Sequence, residues 1–287
     1  MMRIMTLEDS RSSAWCFSNL FFWDNTYHPR VCALGDRLLT RMTYEGHSFY
    51  GYPIGAGDLE TAIWALRRDA LARGVPFELR GLTEKSYEEL NTLFPGQFDY
   101  TQDPSFFDYI YDAEKLAALP GKKLSSKRNH INRFIENNPD WTFEPITREN
   151  ISACIDMSVA WAEERHVLKE ANTELEAVHL ACEHFESLGL EGGLLRAGGR
   201  VVAITIGEVL NSDTYIIHFE KAFSTVQGAY TMINREFVRH IMQVHPHIRY
   251  FNREEDLGIE SLRKAKRSYY PVFLVEKYTA FWREDTV

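Results

Sequence analysis

The chain has 287 residues, enough for a sizeable core and for two domains or one duplicated domain. At 45% hydrophobic and 25% charged residues it is a folded globular protein by composition, and its net charge of −9 excludes polyanion binding over the whole surface, though not at a local basic patch. Cys16, Cys32, Cys154 and Cys182 form no CxxC pair and read as free, mostly buried thiols, the N-terminus lacks a basic-then-apolar leader, and no apolar run approaches a membrane span, so a cytoplasmic protein is expected.

In chain order, Trp15, Phe17, Leu20, Phe21, Phe22 and Trp23 form a dense aromatic stretch, either core or the lining of a pocket. Residues 31–34 and 38–44 read as strands around a Gly35-Asp36 turn, with a third strand at 47–52. Asp58 is the expected N-cap of a helix with Leu59, Ile63, Leu66, Ala70 and Leu71 on its apolar face, and Gly74 ends it. A strand at 77–79, a helix at 84–93 and a strand at 106–111 complete a first mixed α/β unit.

The composition then changes. After a short helix at 112–119 and Pro120-Gly121, the stretch 122–134 carries Lys122, Lys123, Lys127, Arg128 and Arg133 and no acid. Lys123, Lys127 and either Arg128 or His130 share a helix face, with Ile131, Phe134 and Ile135 on the docking side. Two readings stand here: a patch for phosphates or an anionic head group, or a solvated basic helix paired with acids elsewhere.

Pro139-Asp140 and Pro145 lead to a second unit. It reads as helices at 148–165 and 175–187, strands at 192–196 and 201–209 around Gly198-Gly199, and an antiparallel strand at 214–220. A helix follows from Ala229, with Met232, Ile233, Phe237 and Ile241 at helical spacing, then a strand at 248–252, a helix at 259–267 and one last strand at 271–281. The strand-turn-helix over 214–241 holds the chemical interest. The helix start at Gln227-Gly228-Ala229 is either an ordinary corner or a place where free N–H groups hold a phosphate or an oxyanion. His245-Pro246-His247 has no neighbouring Cys or carboxylate cluster, so no metal site is expected, and no GxSxG or Walker-type loop occurs.

The element order of the second unit resembles the GCN5-related N-acetyltransferase fold. Longer words carry a closer resemblance: Gly121-Lys122-Lys123 with 127–134, Glu220-Lys221-Ala222 with Gly228-Ala229-Tyr230, the run Asn252-Arg253-Glu254-Glu255-Asp256-Leu257-Gly258 through Lys266, and Ser268-Tyr269-Tyr270-Pro271. Over most of the chain these resemble the bacterial family related to the C-terminal domain of phosphatidylglycerol lysyltransferase, akin to the Fem peptidyltransferases.

The resemblance implies an α/β (α+β) fold of tandem acetyltransferase-like domains, each a mixed, mostly antiparallel sheet flanked by helices. Residues 1–120 and 146–287 would be the domains and 121–145 a basic connecting helix. It implies an acyltransferase moving an aminoacyl group from aminoacyl-tRNA to an amine or hydroxyl of a lipid or cell-wall precursor. The alternatives are an acyl-CoA-dependent N-acyltransferase of small molecules and a non-catalytic binding protein. The acetyl-CoA loop pattern is not met, because Thr225 stands where a basic residue or Gln would precede Gly228.

Transfer of this kind needs aligned substrates, a base and oxyanion donors. Glu220, at the end of its strand, is the expected base, or else a surface partner of Lys221 or Arg235. Asp256 either orients an ammonium or caps the following helix, and Lys266 matches the lysine before the aromatic-x-Pro word and offsets donor charge. Lys127, Arg128, Gln227, Gly228, Ala229, Arg263 and Lys264 are the expected binding residues.

Overall fold

The computed structural model describes residues 9–165 and 172–283. The described chain divides into two compact units: residues 9–109, 255–263 and 274–283 belong to unit 1, and 110–165, 172–254 and 264–273 to unit 2.

Unit 1 opens with two short helices, α1 (Phe17–Phe22) and α2 (Asp24–Tyr27), inside the aromatic-rich stretch. The strands β1 (Arg30–Leu34), β2 (Arg37–Tyr44) and β3 (His47–Gly51) form a meander, and the short β4 (Ile54–Gly55) pairs with β2. The helix α3 (Leu59–Arg73) begins where Asp58 accepts from the backbone N–H groups of Glu60 and Thr61 and ends at left-handed Gly74. Then come β5 (Glu78–Leu82), α4 (Glu84–Leu93), which Thr83 caps, and β6 (Phe98–Gln102). Tyr50, Ile63, Leu66, Leu79, Leu90, Phe98 and Ala280 form the centre of its core.

The chain crosses to unit 2 within β7 (Asp108–Asp112). The elements α5 (Ala113–Ala118), α6 (Ser125–Asn137), β8 (Thr142–Pro145), α7 (Ser152–Glu164) and α8 (Asn172–Glu183) follow. Next are β9 (Glu191–Ala197), β10 (Arg200–Val209), β11 (Thr214–Ala222), α9 (Ala229–Val244) and β12 (Tyr250–Asn252). The last elements are α10 (Glu260–Arg267), β13 (Phe273–Val275) and β14 (Tyr278–Trp282).

The first sheet runs β1-β2-β3-β5-β14-β6 and the second β13-β7-β12-β11-β10-β9-β8. Most pairings in both are antiparallel, while β3 with β5 and β11 with β12 run parallel. This is the mixed α/β architecture expected from the sequence. The amphipathic helix α9 lays Met232, Ile233, Phe237 and Ile241, all buried, against the second sheet, where Leu194, Ile204 and Ile206 are also buried.

Three local readings are corrected. The single strand read at 271–281 is two strands in different sheets. It breaks at Glu276-Lys277, where Lys277 is buried and its ammonium donates to Ser13 Oγ at 2.8 Å, to Asp108 at 2.6 Å and to Glu255. Ile135 does not dock with Ile131 and Phe134 but is 38% exposed. The helix read from residue 148 begins at Ser152, after turns in which Asn150 Oδ1 accepts from Thr147 N. The four cysteines are free, with Cys32 exposed and the other three buried.

Candidate active site

In unit 2, β11 and β12 run parallel and pair only from Thr214↔Tyr250 to Ile216↔Asn252. There β12 stops, while β11 continues to Ala222. Beyond the last pair the side chain of Arg253 reaches β11, and its Nη2 donates to Glu220 Oε1 at 2.7 Å. The amide Nδ2 of Asn234, from α9, donates to the second carboxylate oxygen at 3.1 Å. Glu220 is thus gripped at both oxygens, with only 9% of its side chain exposed. The guanidinium of Arg253 lies 5.0 Å from the ring centre of Tyr269 and 5.6 Å from that of Tyr111, within cation–π range.

Lys127, on α6, brings a second cation to the same ring, with Nζ 3.9 Å from the centre of Tyr269. Burial pulls its pKa down to about 8, the charge of Arg253 adds to that, and Glu220 opposes it. Lys266, on α10, points its ammonium at the carbonyl oxygen of Arg253, while Tyr111 Oη donates to the carbonyl of Lys266 at 2.8 Å. Lys266 therefore holds the backbone that aims Arg253. The Nη1 of Arg253 and the Oδ1 of Asn234 are buried without a hydrogen-bond partner.

Chemically, this is a carboxylate whose two oxygens are fixed, with a guanidinium and an ammonium on one side. The carboxylate can accept a proton at a defined place. The cations can stabilise charge that develops on a carbonyl oxygen.

The other expected site residues fall in different surroundings. The Nη1 of Arg128 donates to the carbonyls of Leu119 and, at 2.8 Å, Gly121, so it holds the turn after α5. Lys264 is exposed. Gly228 caps α9 with φ 85°, and a Cβ there would lie 2.2 Å from the carbonyl oxygen of His130. The smallness of residue 228 is accounted for by α6 passing over it. Gln227 and Ala229 belong to the same corner, where Ala229 N donates to Val226 O at 3.1 Å.

Asp256 and Arg263 lie in unit 1. Asp256 is fully buried and takes Nε and Nη2 of Arg263 at 2.8 and 2.9 Å, Tyr109 Oη at 2.6 Å and Gly258 N at 2.9 Å. The bond from Arg263 holds its pKa well below the usual carboxylate range, aided by Tyr109 and the backbone of Gly258. Such a carboxylate is a weak base and a firm anchor for the turn into α10.

Glu220 does not pair with the neighbours considered from sequence. Lys221 instead bonds Glu174 at 2.8 Å and lies 3.9 Å from the Trp161 ring centre, and Arg235 bonds Glu236 at 2.6 Å. Two more side chains, unassigned from sequence, complete this strand region. Tyr269 is the ring shared by Arg253 and Lys127, and His218, two residues before Glu220, stands between Glu208 and Glu254 at 3.0 Å each. Asn234 was detectable as a polar residue on the apolar face of α9, in line with Tyr230 and Val238.

The family model described as "Phosphatidylglycerol lysyltransferase, C-terminal" matches residues 6–281. The chain belongs to this family. A conserved protein of unknown function from Bacteroides thetaiotaomicron is similar in structure at TM-score 0.92, with 37% identity, covering 98% of this chain and 95% of that one. The C-terminal domain of a putative lysylphosphatidylglycerol synthetase from Agrobacterium fabrum gives TM-score 0.71 at 13% identity, covering 99% and 90%. FemX gives TM-score 0.60 at 9% identity, covering 94% and 91%. At such identities these last two likenesses speak for the fold alone. An uncharacterized protein of Mycoplasmoides gallisepticum is 24% identical over 178 residues, 60% of this chain, and the match spans 54% of that protein's length. The fold shared with these structures is a mixed α/β architecture of two largely antiparallel sheets flanked by helices. No described helix is long and apolar enough to cross a membrane.

Proposed function

We propose that the protein is an acyltransferase that takes an aminoacyl group from aminoacyl-tRNA and passes it to an amine or hydroxyl. The observation that carries this reading is the Glu220 carboxylate held by Arg253 and Asn234 where β11 outruns β12, in a chain of this family. Glu220 takes the proton of the acceptor as its nitrogen or oxygen attacks the ester carbonyl. Arg253 fixes the Glu220 carboxylate and, with Lys127, supplies positive charge for an anionic group of the substrates beside it. As the intermediate collapses, the bond to the ribose oxygen breaks and the proton returns to that oxygen. Lys266 acts through the carbonyl of Arg253 and is a positioning residue. Lipids and cell-wall precursors are the acceptor classes to try first, because the family is named for a lipid lysyltransferase.

The test is transfer of radiolabel from aminoacyl-tRNAs, with acyl-CoAs in parallel, to extracted lipids, peptidoglycan precursors and amines. Aminoacyl-tRNA is expected to be consumed, and Glu220→Gln to slow consumption. Consumption of acyl-CoA alone, or of neither donor, overturns the reading.

A further inference from the structure

Beside Glu220, two buried polar atoms have no protein partner: the Nη1 donor of Arg253 and the Oδ1 acceptor of Asn234. Each belongs to a side chain whose other arm is already fixed on the same carboxylate. Asn234 is 2% exposed, so its free oxygen is deep in the protein. A buried donor and a buried acceptor left open on the two side chains that hold one carboxylate suit a ligand that both accepts and donates hydrogen bonds.

Charge narrows the ligand further. Glu220 contributes one negative charge against the positive charges of Arg253, Lys127 and Lys266, a local excess of positive charge in a largely buried place. The Tyr269 face compensates only part of it. An anionic group on the ligand, such as a carboxylate, offsets part of that excess. The donor facing Asn234 Oδ1 also faces the Glu220 carboxylate, which favours an amine over a neutral hydroxyl.

We propose that this cluster binds a small amino acid, with its carboxylate on Arg253 Nη1 and Lys127 Nζ and its amine between Asn234 Oδ1 and Glu220. Calling that amino acid the acceptor rests on the transferase reading; the binding does not. In the reaction the ammonium first gives a proton to Glu220. The neutral nitrogen attacks the ester carbonyl, a C–N bond forms, and the C–O bond to the donor's ribose breaks. The remaining surplus proton on nitrogen passes to the leaving ribose oxygen. The product is a dipeptide-like amide and a free ribose hydroxyl.

The experiment is calorimetric titration of the full chain with the twenty amino acids, each compared with its methyl ester and its deaminated acid. Inorganic phosphate and glycerol 3-phosphate serve as anion controls. At least one free amino acid is expected to bind, and its ester and deaminated forms to bind at least tenfold more weakly. Asn234→Leu and Arg253→Lys, each confirmed folded by circular dichroism at the titration temperature, should weaken binding at least tenfold, while Lys123→Ala leaves it unaltered. Equal binding of ester and acid, equal binding of phosphate, or no binding by any amino acid to the folded protein overturns the proposal. Binding without transfer from any donor leaves this site standing and removes the transferase reading instead.

Discussion

Arg253 Nη2 lies 2.7 Å from Glu220 Oε1, across the opening left where β12 ends and β11 runs on. Both side chains are mostly buried, at 14% and 9% exposure, so neither charge is well solvated without the other. Removing one partner of such a pair costs about 3–5 kcal/mol, whereas replacing both by apolar residues is often close to neutral. Arg253→Met is therefore expected to lower unfolding free energy by roughly that amount, and Arg253→Met with Glu220→Leu to recover most of it. Glu220→Gln keeps an acceptor for Arg253 but no longer takes a proton. It is expected to lower the transfer rate by about 10²- to 10⁴-fold, the usual worth of a general base, and to cost about 2–4 kcal/mol in urea stability because the buried Arg253 charge loses its counter-charge. A folded Glu220→Gln variant that transfers as fast as the parent counts against a base at this position.

Gly228 separates a structural from a catalytic use of the α9 corner. Its φ of 85° is left-handed, and the direction of a Cβ is taken by the His130 carbonyl at 2.2 Å and the Phe134 Cβ at 3.0 Å. Gly228→Ala adds backbone strain to a backbone clash and is expected to destabilise by about 2–4 kcal/mol in urea unfolding. A variant of full stability but impaired transfer would instead return this helix start to the active site.

The elements read well from sequence are those set by local chemistry. The Asp58 cap, the Gly74 stop and the helix α4 came from capping and spacing, which depend on neighbours in the chain. The strand β6 was not read, and it exists because β14, from the far end of the chain, pairs with it. The break between β13 and β14 is likewise set by the distant carboxylate of Asp108. In the site, Glu220, Lys127 and Lys266 stood out by charge and motif. The role of Arg253 did not, since it depends on where one strand stops against another. For the helix start at Gln227-Gly228-Ala229 the sequence leaves an ordinary corner or an anion-holding turn, and the space beside Gly228 is taken by the protein's own backbone at His130.

Lys127 should leave a signature in the alkaline limb of stability. Its pKa falls from the ordinary value of 10.5 to about 8 on folding, so the unfolded chain holds the proton more tightly between those values. Stability contributed by this group therefore rises as pH climbs from about 8 toward 10.5, and the cost of burying its charge is fully present below about 8. Allowing for its partial solvent exposure, that cost is on the order of 1–2 kcal/mol. Lys127→Met, which keeps the stem against Tyr269, is expected to be more stable than the parent at pH 7. The gain should shrink toward zero near pH 10.5 in urea titrations. A pH-independent difference would mean that the ammonium is solvated in the folded protein.

Asp256 makes the opposite prediction at the acid end. Arg263, Tyr109 and the Gly258 N–H all favour its ionised form, and its folded pKa lies well below the ordinary carboxylate value. The unfolded chain takes up the proton first as pH falls, so the pair's contribution is present above about 4 and is lost as pH drops toward the folded value. Asp256→Asn keeps the size and an acceptor for Tyr109 but gives up the charge opposite Arg263. It is expected to lose about 2–4 kcal/mol at pH 7, between a lost charge-assisted bond and a broken buried pair. Its stability should also fall less steeply than the parent's between about pH 4 and pH 2, because one titrating carboxylate is gone. Circular dichroism followed through urea at several pH values measures both quantities. Transfer by the folded variant at pH 7 is expected to stay within about threefold of the parent, since a carboxylate held this far below its ordinary pKa is a poor proton acceptor. A loss of transfer by orders of magnitude at unchanged stability would make Asp256 part of the reaction after all.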